Sequence, residues 1–289
     1  MQSQSTSQCG AVQGRFKAVL TSLILMLVTV PAAAEIGGLP GNTGKLDLSP
    51  VWEKLRPQLF GERQIYLPPS QITIDVPKRA AFGSSVPVKV NLAYAQDPDL
   101  FVKRLYLVID NNPSPLAATI NLTPDVGRAD FETRVRVDAY SHVRVIAELS
   151  DGQLHMDVGY VKTSGGCSAP PNRERPEDIG KIMLKTANGQ AASRPDKPVA
   201  VDFKIRHPND TGFELNQQTV MFIPPNFIRN LDISYRGKKI WQAQLDFSIS
   251  ENPYFRLNVL PGGGGVLQAD AQDTNGNAFT RQSTLLVTD

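Results

Sequence analysis

The residue best suited to chemistry in this sequence is Cys167, in the stretch YVKTSGGCSAPPNRERPE at residues 160–177. Gly165 and Gly166 come directly before it, and glycine adopts backbone conformations that are closed to other residues. The pattern predicts a thin, flexible segment whose only bulky group is one sulfur. Such a segment can enter a narrow pocket of another protein and present the sulfur there, so that the chemistry belongs to the partner.

The first 34 residues are typical of a secretory signal peptide rather than of a fold. Arg15 and Lys17 precede an apolar run at residues 18–30, and small residues end the segment at Ala34. A permanent membrane anchor is the alternative, but a spanning helix needs about 20 apolar residues. The run has 13, so we expect export, cleavage after Ala34 and no membrane contact of the mature protein.

The second cysteine, Cys9, lies in that signal, so the mature protein would carry Cys167 as its single thiol. Exported proteins normally pair their thiols in disulfides. An unpaired cysteine is therefore either incidental and buried as a small hydrophobe or kept for chemistry. The residues around Cys167 make burial difficult, and an exposed thiol is open to oxidation. Its retention favours a carrier thiol over an incidental one.

The sequence shows no other constellation that carries enzyme chemistry. The glycine run PGGGGV at residues 261–266 lies between predicted strands and is typical of a hairpin tip rather than a phosphate loop. The three histidines lie 13 and 52 residues apart, without metal-ligand spacing. His142 and His155 alternate with apolar residues, which predicts surface positions. We therefore expect no enzyme activity, no catalytic residue, no metal site and no cofactor.

Two further classes are disfavoured by the residues alone. The 30 Lys and Arg residues are balanced by 28 Asp and Glu residues, so no single-sign field points to nucleic acid or to an anionic membrane. A hydrolase that pairs Cys167 with a histidine is a remote alternative, because glycines beside a nucleophile give no rigid frame.

One short helix is predicted ahead of the strands that must position Cys167. Ser49 can cap it, Pro50 suits its first turn, and Gly61 would end it. Its buried stripe is expected to hold Val51, Trp52, Leu55 and Leu59.

After the helix the apolar period changes to two, which is typical of half-buried strands. Alternating segments before Cys167 lie at residues 71–77, 86–94, 104–110, 131–137, 143–149 and 154–161. Those after it lie at residues 199–205, in a hairpin at 230–249 that turns at Arg236, Gly237 and Lys238, and at 254–279. The pattern predicts two antiparallel β-sandwiches. Residues 168–197 are predicted to be a linker, in which residues 178–189 could hold a turn of helix.

Several motifs resemble the two halves of a known carrier. NNPSP at residues 111–115, VRVIAELSDGQL at 143–154 and VKTSGGC at 161–167 resemble SoxY, the thiol-bearing half of the periplasmic SoxYZ sulfur carrier. FKIRHPNDTGFE at residues 203–214, with the strands after it, is similar to SoxZ, the other half. The resemblance implies a SoxY-like domain over residues 45–167 and a SoxZ-like domain over 198–289. Cys167 falls at the position of the carrier cysteine.

The resemblance implies an all-β fold of two immunoglobulin-like sandwiches with one short N-terminal helix, the first sandwich ending in a mobile arm. It implies sulfur intermediates held on Cys167 while periplasmic sulfur-oxidising enzymes act on them, as in thiosulfate oxidation. The resemblance also carries over the His-Pro-x-x-Thr-Gly segment of SoxZ, and the turn residues there predict a structural role at the domain interface. This predicted interface turn comprises His207, Pro208, Thr211 and Gly212. A base for the thiol is the alternative role of His207.

Two features depart from the family pattern. SoxY ends at a Gly-Gly-Cys-Gly-Gly tail, whereas this chain continues, and Ser168-Ala169-Pro170 replaces the trailing glycines. The predicted arm is therefore tethered at both ends. The fused order is similar to SoxYZ-like carriers associated with PQQ-type quinoprotein alcohol dehydrogenases. The alternative function is thus a non-covalent accessory protein of such a dehydrogenase system, in which Cys167 is dispensable.

Overall fold

The fold is known from a computed structural model, which describes residues 49–68, 70–170, 176–187, 189, 192 and 194–287. It contains one α-helix and two β-sheets. The predicted all-β fold with one short N-terminal helix is confirmed. The predicted signal peptide, residues 1–34, lies outside the described residues.

Helix α1 (Pro50–Phe60) begins and ends where the sequence predicted. The Ser49 hydroxyl accepts a hydrogen bond from the Trp52 amide at 3.2 Å, Pro50 is the first helical residue, and Gly61 follows the helix with φ at +57°. Trp52 and Phe60 are its fully buried residues. They pack on the outer face of neighbouring strands with Tyr106, Val108, Ile146, Leu154 and Met156.

Fifteen strands are described along the chain. In order they are β1 Ile65–Tyr66, β2 Ile72–Asp75, β3 Val86–Leu92, β4 Val102–Ile109, β5 Leu116–Leu122, β6 Phe131–Val135, β7 Ser141–Leu149, β8 Leu154–Val161, β9 Ile182–Thr186, β10 Val199–Ile205, β11 Ile228–Tyr235, β12 Lys238–Leu245, β13 Tyr254–Val259, β14 Gly265–Asp273 and β15 Ala278–Leu285. One sheet has the order β1-β8-β7-β4-β5-β12-β11-β14-β15, and the other has the order β2-β3-β6-β13-β10-β9. All pairs are antiparallel except β1 with β8, which is parallel.

Both sheets run without a break from the first half of the chain into the second. Strand β5 pairs with β12 in the large sheet, from Ala118 opposite Leu245 to Leu122 opposite Trp241. Strand β6 pairs with β13 in the small sheet. Buried side chains from both halves form one continuous hydrophobic core. The two halves are therefore joined by shared backbone hydrogen bonds as well as by packing.

Three strands were not predicted from the sequence: β1, β5 and β9. Strand β5 is the one that joins the halves in the large sheet, since it pairs with β4 on one side and β12 on the other. Strand β9 falls within the predicted linker 168–197 and pairs with β10 at the edge of the small sheet. Part of the predicted linker is therefore an edge strand of the small sheet.

The predicted hairpin of the second half is formed by β11 and β12. Arg236 and Gly237 connect the two strands, with φ values of +51° and +77°. Positive φ at both central residues is the conformation that two-residue hairpin turns favour, because its twist matches that of the strands. The glycine is used here for its backbone freedom.

Candidate functional site

The segment that carries Cys167 folds back against the end of β6 after β8 ends at Val161. The amides of Gly165 and Gly166 donate to the carbonyls of Asp138 and Val137, at 2.7 and 3.2 Å. The Cys167 amide donates to the Asp138 carboxylate at 3.0 Å. Three successive N–H groups are therefore bound, and the segment has a fixed position on the sandwich.

Gly166 is required at its position because the backbone of other segments passes directly beside it. A Cβ atom on Gly166 would lie 2.4 Å from the Gly83 carbonyl oxygen and 2.5 Å from that of Val137. Both distances are far below any real contact of a Cβ atom. Gly165, with φ at +70°, has a backbone conformation that other residues rarely adopt. In this structure the two glycines allow close packing, which corrects the prediction that they make a flexible arm.

The Cys167 thiol is buried, with 1% of the residue exposed. Burial, followed by the charge of Asp138, raises the pKa of the thiol to about 12. The prediction that Cys167 is exposed is therefore wrong for this structure. The physical reason is that residues from the second half cover the segment, and no local pattern in the sequence shows that cover.

The cover is the predicted interface turn of the second half. The Thr211 hydroxyl lies 2.6 Å from the Cys167 carbonyl oxygen and 2.6 Å from Glu214 Oε2. The same Glu214 oxygen accepts the Thr211 and Gly212 amides, and Gly212 has φ at +91°. The structure thus brings Thr211 and Gly212 of the predicted turn to Cys167, although they lie more than 40 residues apart in the chain.

Arg136 connects the two halves beneath this turn. Its Nη1 donates to the Gly166 carbonyl at 3.1 Å, and its Nη2 donates to the Asn209 carbonyl at 3.3 Å. Nη2 also lies 3.6 Å from Glu214 Oε1, in an ion pair whose two side chains are 1% and 0% exposed. Arg136 follows β6, and the alternation of that strand, continued past Val135, would place it on the face opposite to Val135 and Val137. The second half covers that face, so both the arginine and the valines are buried.

The charged groups near the thiol come from three segments of the chain. Carboxylates of Asp138, Glu214 and Asp246 raise the pKa of the thiol, and the guanidinium of Arg136 lowers it. We call these four residues and Thr211 the Cys167 chamber. Of these residues only Thr211 was predicted as part of a site. Glu214 lies in the same motif, whereas Arg136, Asp138 and Asp246 lie in no motif that was recognised.

His207 is fully buried within the second half. Its Nδ1 accepts the Asn209 amide at 3.1 Å, and its Nε2 lies 3.4 Å from Asp273 Oδ2 on β14. Burial lowers the pKa of the ring. Both ring nitrogens therefore have partners that hold the turn in place. Pro208 follows it, and Asn209 adopts φ at +52° to complete the turn.

The other two histidines differ from the predicted surface positions. His155 is 8% exposed, and its Nδ1 contacts the Tyr94 hydroxyl. The His142 side chain is 13% exposed, and its Nδ1 lies 3.8 Å from Asp110. His142 lies on the outer face of the large sheet, where Tyr160 contacts it. His155 is paired with the core residue Ala147 and therefore lies on the opposite face, toward the small sheet, where Tyr66 and Tyr94 contact it.

Two features of the described residues bear on other classes of protein. No group of three or more His, Cys, Asp or Glu residues among them is arranged to hold a metal ion. No helix in the same part of the chain is long and apolar enough to cross a membrane.

Two known family models match this chain, one in each half. Residues 56–167 match the family model described as "Sulfur oxidation protein SoxY", and residues 187–284 match that of "Sulphur oxidation protein SoxZ". The chain combines a SoxY domain with a SoxZ domain. This confirms the predicted resemblance and its order. The SoxY match ends at Cys167, and the pair of domains supports a sulfur-oxidation carrier protein rather than a catalyst.

Solved structures add little to this SoxY–SoxZ fusion. The sulfur carrier protein SoxY from Chlorobium limicola f thiosulfatophilum is 22% identical with a TM-score of 0.33, covering 39% of this chain and 96% of that one. A superoxide reductase (neelaredoxin) from Ignicoccus hospitalis is 13% identical with a TM-score of 0.30, covering 34% and 93%. These scores are too low to support a functional conclusion. No curated protein matches the chain.

Proposed function

We propose that the protein is an exported, non-enzymatic carrier that holds a sulfur-containing group covalently on Cys167 and presents it to partner enzymes. The observation that carries the proposal is the position of the thiol. Cys167 ends the SoxY match, follows two glycines, and lies against the Thr211 turn of the SoxZ domain. It is also the free cysteine of the described residues. One sulfur at the junction of the two domains fits a carried group better than it fits a catalyst.

A carrier with this structure must release the Cys167 segment before the thiol can react. The thiolate is the reacting species, and a thiol with a pKa of about 12 is almost entirely protonated at neutral pH. The buried form therefore protects the thiol from unwanted oxidation. Hydrogen bonds to Gly165, Gly166 and Cys167 hold this form, and each contributes about 1 kcal/mol net. Opening then costs on the order of a few kcal/mol, which binding to a partner can offset.

The reach of the released thiol is set by the two strands that flank it. Strand β8 ends at Val161, and β9 begins at Ile182. Cys167 is the sixth residue after β8, so at about 3.4 Å per residue it can extend roughly 20 Å from that strand. This distance is enough to enter a pocket on a partner protein. The thiol would enter as the apex of a loop rather than as the end of a tail.

A protein partner is further supported by exposed apolar side chains beside the chamber. The segment that follows the interface turn carries Val220, Met221 and Phe222, which are 76%, 69% and 64% exposed. Apolar side chains clustered on a surface mark contact sites for other proteins. Sox carrier proteins work with partner sulfur-oxidation proteins, and we propose that partners of this type, or quinoprotein dehydrogenase enzymes, approach on this side.

A second candidate function is favoured by the burial of the thiol. A free cysteine with 1% exposure can also be a small hydrophobic residue that packs between the domains. The protein would then be the non-covalent accessory of a quinoprotein dehydrogenase, and Cys167 would be dispensable for function.

The two functions are separated by intact-mass measurement on protein purified without reductant from the cells that make it. The carrier function predicts adducts on Cys167 that a reductant removes and that Cys167→Ala lacks. Cys167→Ala removes the thiol but leaves a small apolar side chain at the buried position. Its effect therefore reports the loss of thiol chemistry more than the loss of packing. Unmodified wild-type protein, together with full activity of Cys167→Ala in the cell, would rule out the carrier and support the accessory function.

A further inference from the structure

We infer that the Cys167 chamber accepts the thiol only while the group that it carries is uncharged, and that an anionic group drives the Cys167 segment out. This inference rests on the proposed carrier function and names the class of cargo that can be stored. It follows from the charges that surround the thiol, their burial and their existing partners.

The first step is the balance of charge in the chamber. Asp138, Glu214 and Asp246 contribute three carboxyl groups, against the single guanidinium of Arg136. Burial raises the pKa of Asp246. Even with that carboxyl protonated, two carboxylates oppose one cation. Arg229 also acts on Asp246, but it is exposed, so water screens its charge.

The second step is that the one buried cation is already in use. Arg136 binds the Gly166 and Asn209 carbonyls and forms the ion pair with Glu214. An anion on Cys167 would therefore compete with Glu214 for the same guanidinium. A buried charge without a partner is strongly unfavourable, and like charges repel more strongly in a buried site than in water. The released segment, by contrast, places the anion in water.

The third step concerns buried polar atoms that make no hydrogen bond, although Glu214 Oε1 stays in its ion pair with Arg136. Glu214 Oε1 and Asp246 Oδ1 are buried acceptors without a hydrogen bond, and Arg136 Nε is a buried donor without one. The single donor taken alone would suit an anion. The two acceptors instead suit a group with a proton to donate, such as a thiol. Together with the charge balance, they favour uncharged sulfur.

The charge of the cargo would then decide the position of the segment. A free thiol or an uncharged disulfide-linked sulfur stays in the chamber and is protected. An anionic end, such as a sulfonate, leaves the chamber and is presented to the partner. The chemical state of the carried sulfur would thus control whether it is exposed, without any further effector.

The test compares two adducts on the full chain that differ in one terminal group. Methyl methanethiosulfonate converts the Cys167 thiolate to Cys–S–S–CH3 and releases methanesulfinate. Tetrathionate converts the same thiolate to Cys–S–S–SO3⁻ and releases thiosulfate. Intact mass confirms each product. Hydrogen exchange of the Gly165, Gly166 and Cys167 amides then reports whether the segment is bound, since all three donate hydrogen bonds in the closed form.

We expect the methyl adduct to keep the protection of the free thiol and the sulfonate adduct to lose about tenfold or more. In Asp138→Asn, which removes one carboxylate from the chamber and keeps an oxygen that can accept the Cys167 amide, the sulfonate adduct should regain much of that protection. Asp232→Asn, a matched change on the outer face of the large sheet, should have no effect. Equal protection of the two adducts, or equal behaviour of the two variants, would overturn the inference. Absence of native adducts would instead count against the carrier function itself.

Discussion

Two glycine-rich segments of this protein look alike in the sequence and differ completely in the structure. Gly166, beside Cys167, lies so close to two backbone carbonyls that a Cβ atom would overlap them at 2.4 and 2.5 Å. Gly263, in the run between β13 and β14, has no atom within 4 Å of the place where its Cβ would be. One glycine allows two chain segments to pack, and the other lies in an open turn. Glycine composition alone therefore does not distinguish a mobile arm from a tightly packed one.

The largest effect is expected when the side chain that binds the packed segment is removed. That side chain is Arg136, which donates to the Gly166 carbonyl. We expect Arg136→Met to lower the free energy of unfolding by about 3–4 kcal/mol, because Glu214 would remain buried without its cation. Arg134→Met, at an exposed position two residues earlier, should cost under about 0.5 kcal/mol. Urea denaturation measures both. Similar losses for the two variants would mean that the buried ion pair does not hold the halves together.

The next test fills the space beside the thiol. Gly166→Ala should lower the free energy of unfolding by about 2 kcal/mol, since its Cβ cannot coexist with the Gly83 and Val137 carbonyls. The segment should leave the chamber, so a thiol reagent should modify Cys167 much faster than in the wild type at neutral pH. Unchanged stability and unchanged thiol reactivity would show that the segment is not packed in solution.

A third test uses the protonation of the thiol. Its pKa is raised from 9.0 to about 12 in the folded protein, so the folded state retains a proton that the unfolded state releases. The stability that the protonated thiol contributes to the folded state is therefore present in full below pH 9. It is lost as the pH rises toward 12. Compared with Cys167→Ser, which does not titrate, the wild type should lose about 1.4 kcal/mol of stability by pH 10. Parallel pH profiles for the two proteins would indicate an exposed thiol.

The smallest effect is expected at the open turn. Gly263→Ala should change the free energy of unfolding by less than about 0.5 kcal/mol, because the added methyl group meets nothing and φ is not positive. Thiol reactivity should stay at the wild-type value. A loss as large as that of Gly166→Ala would remove the distinction between the two glycine segments.

Local patterns predicted much of the fold. Ser49, Pro50 and Gly61 marked the ends of the helix, because capping depends on residues within one turn of each other. Period-two alternation marked most strands for the same local reason. It did not reveal β5 as the strand shared by both halves. The partner of a strand lies far away in the sequence, and nothing in LAATINL says that β12 will pair with it.

The candidate site was predicted in its thiol and in part of its turn. Cys167 and Thr211 were both singled out by motif, and the structure brings them into contact. Arg136, Asp138, Glu214 and Asp246 were not. Arg136 and Asp138 reach the thiol when its segment folds back after β8, and Glu214 and Asp246 reach it only when the second domain packs on the first. Burial, followed by the charges of these residues, raises the pKa of Cys167, so this property could not be predicted from the segment around the cysteine.

The sequence by itself determined that the chain is made of strands, that it resembles two domain families in order, and that one thiol follows two glycines. These features depend on the order and type of nearby residues, which the sequence states directly. The tertiary structure alone decided that the thiol is buried, that Gly166 packs rather than bends, and that carboxylates outnumber cations around the sulfur. Burial and electrostatics depend on distances in space, and here those distances are set by strand pairing across the domain junction.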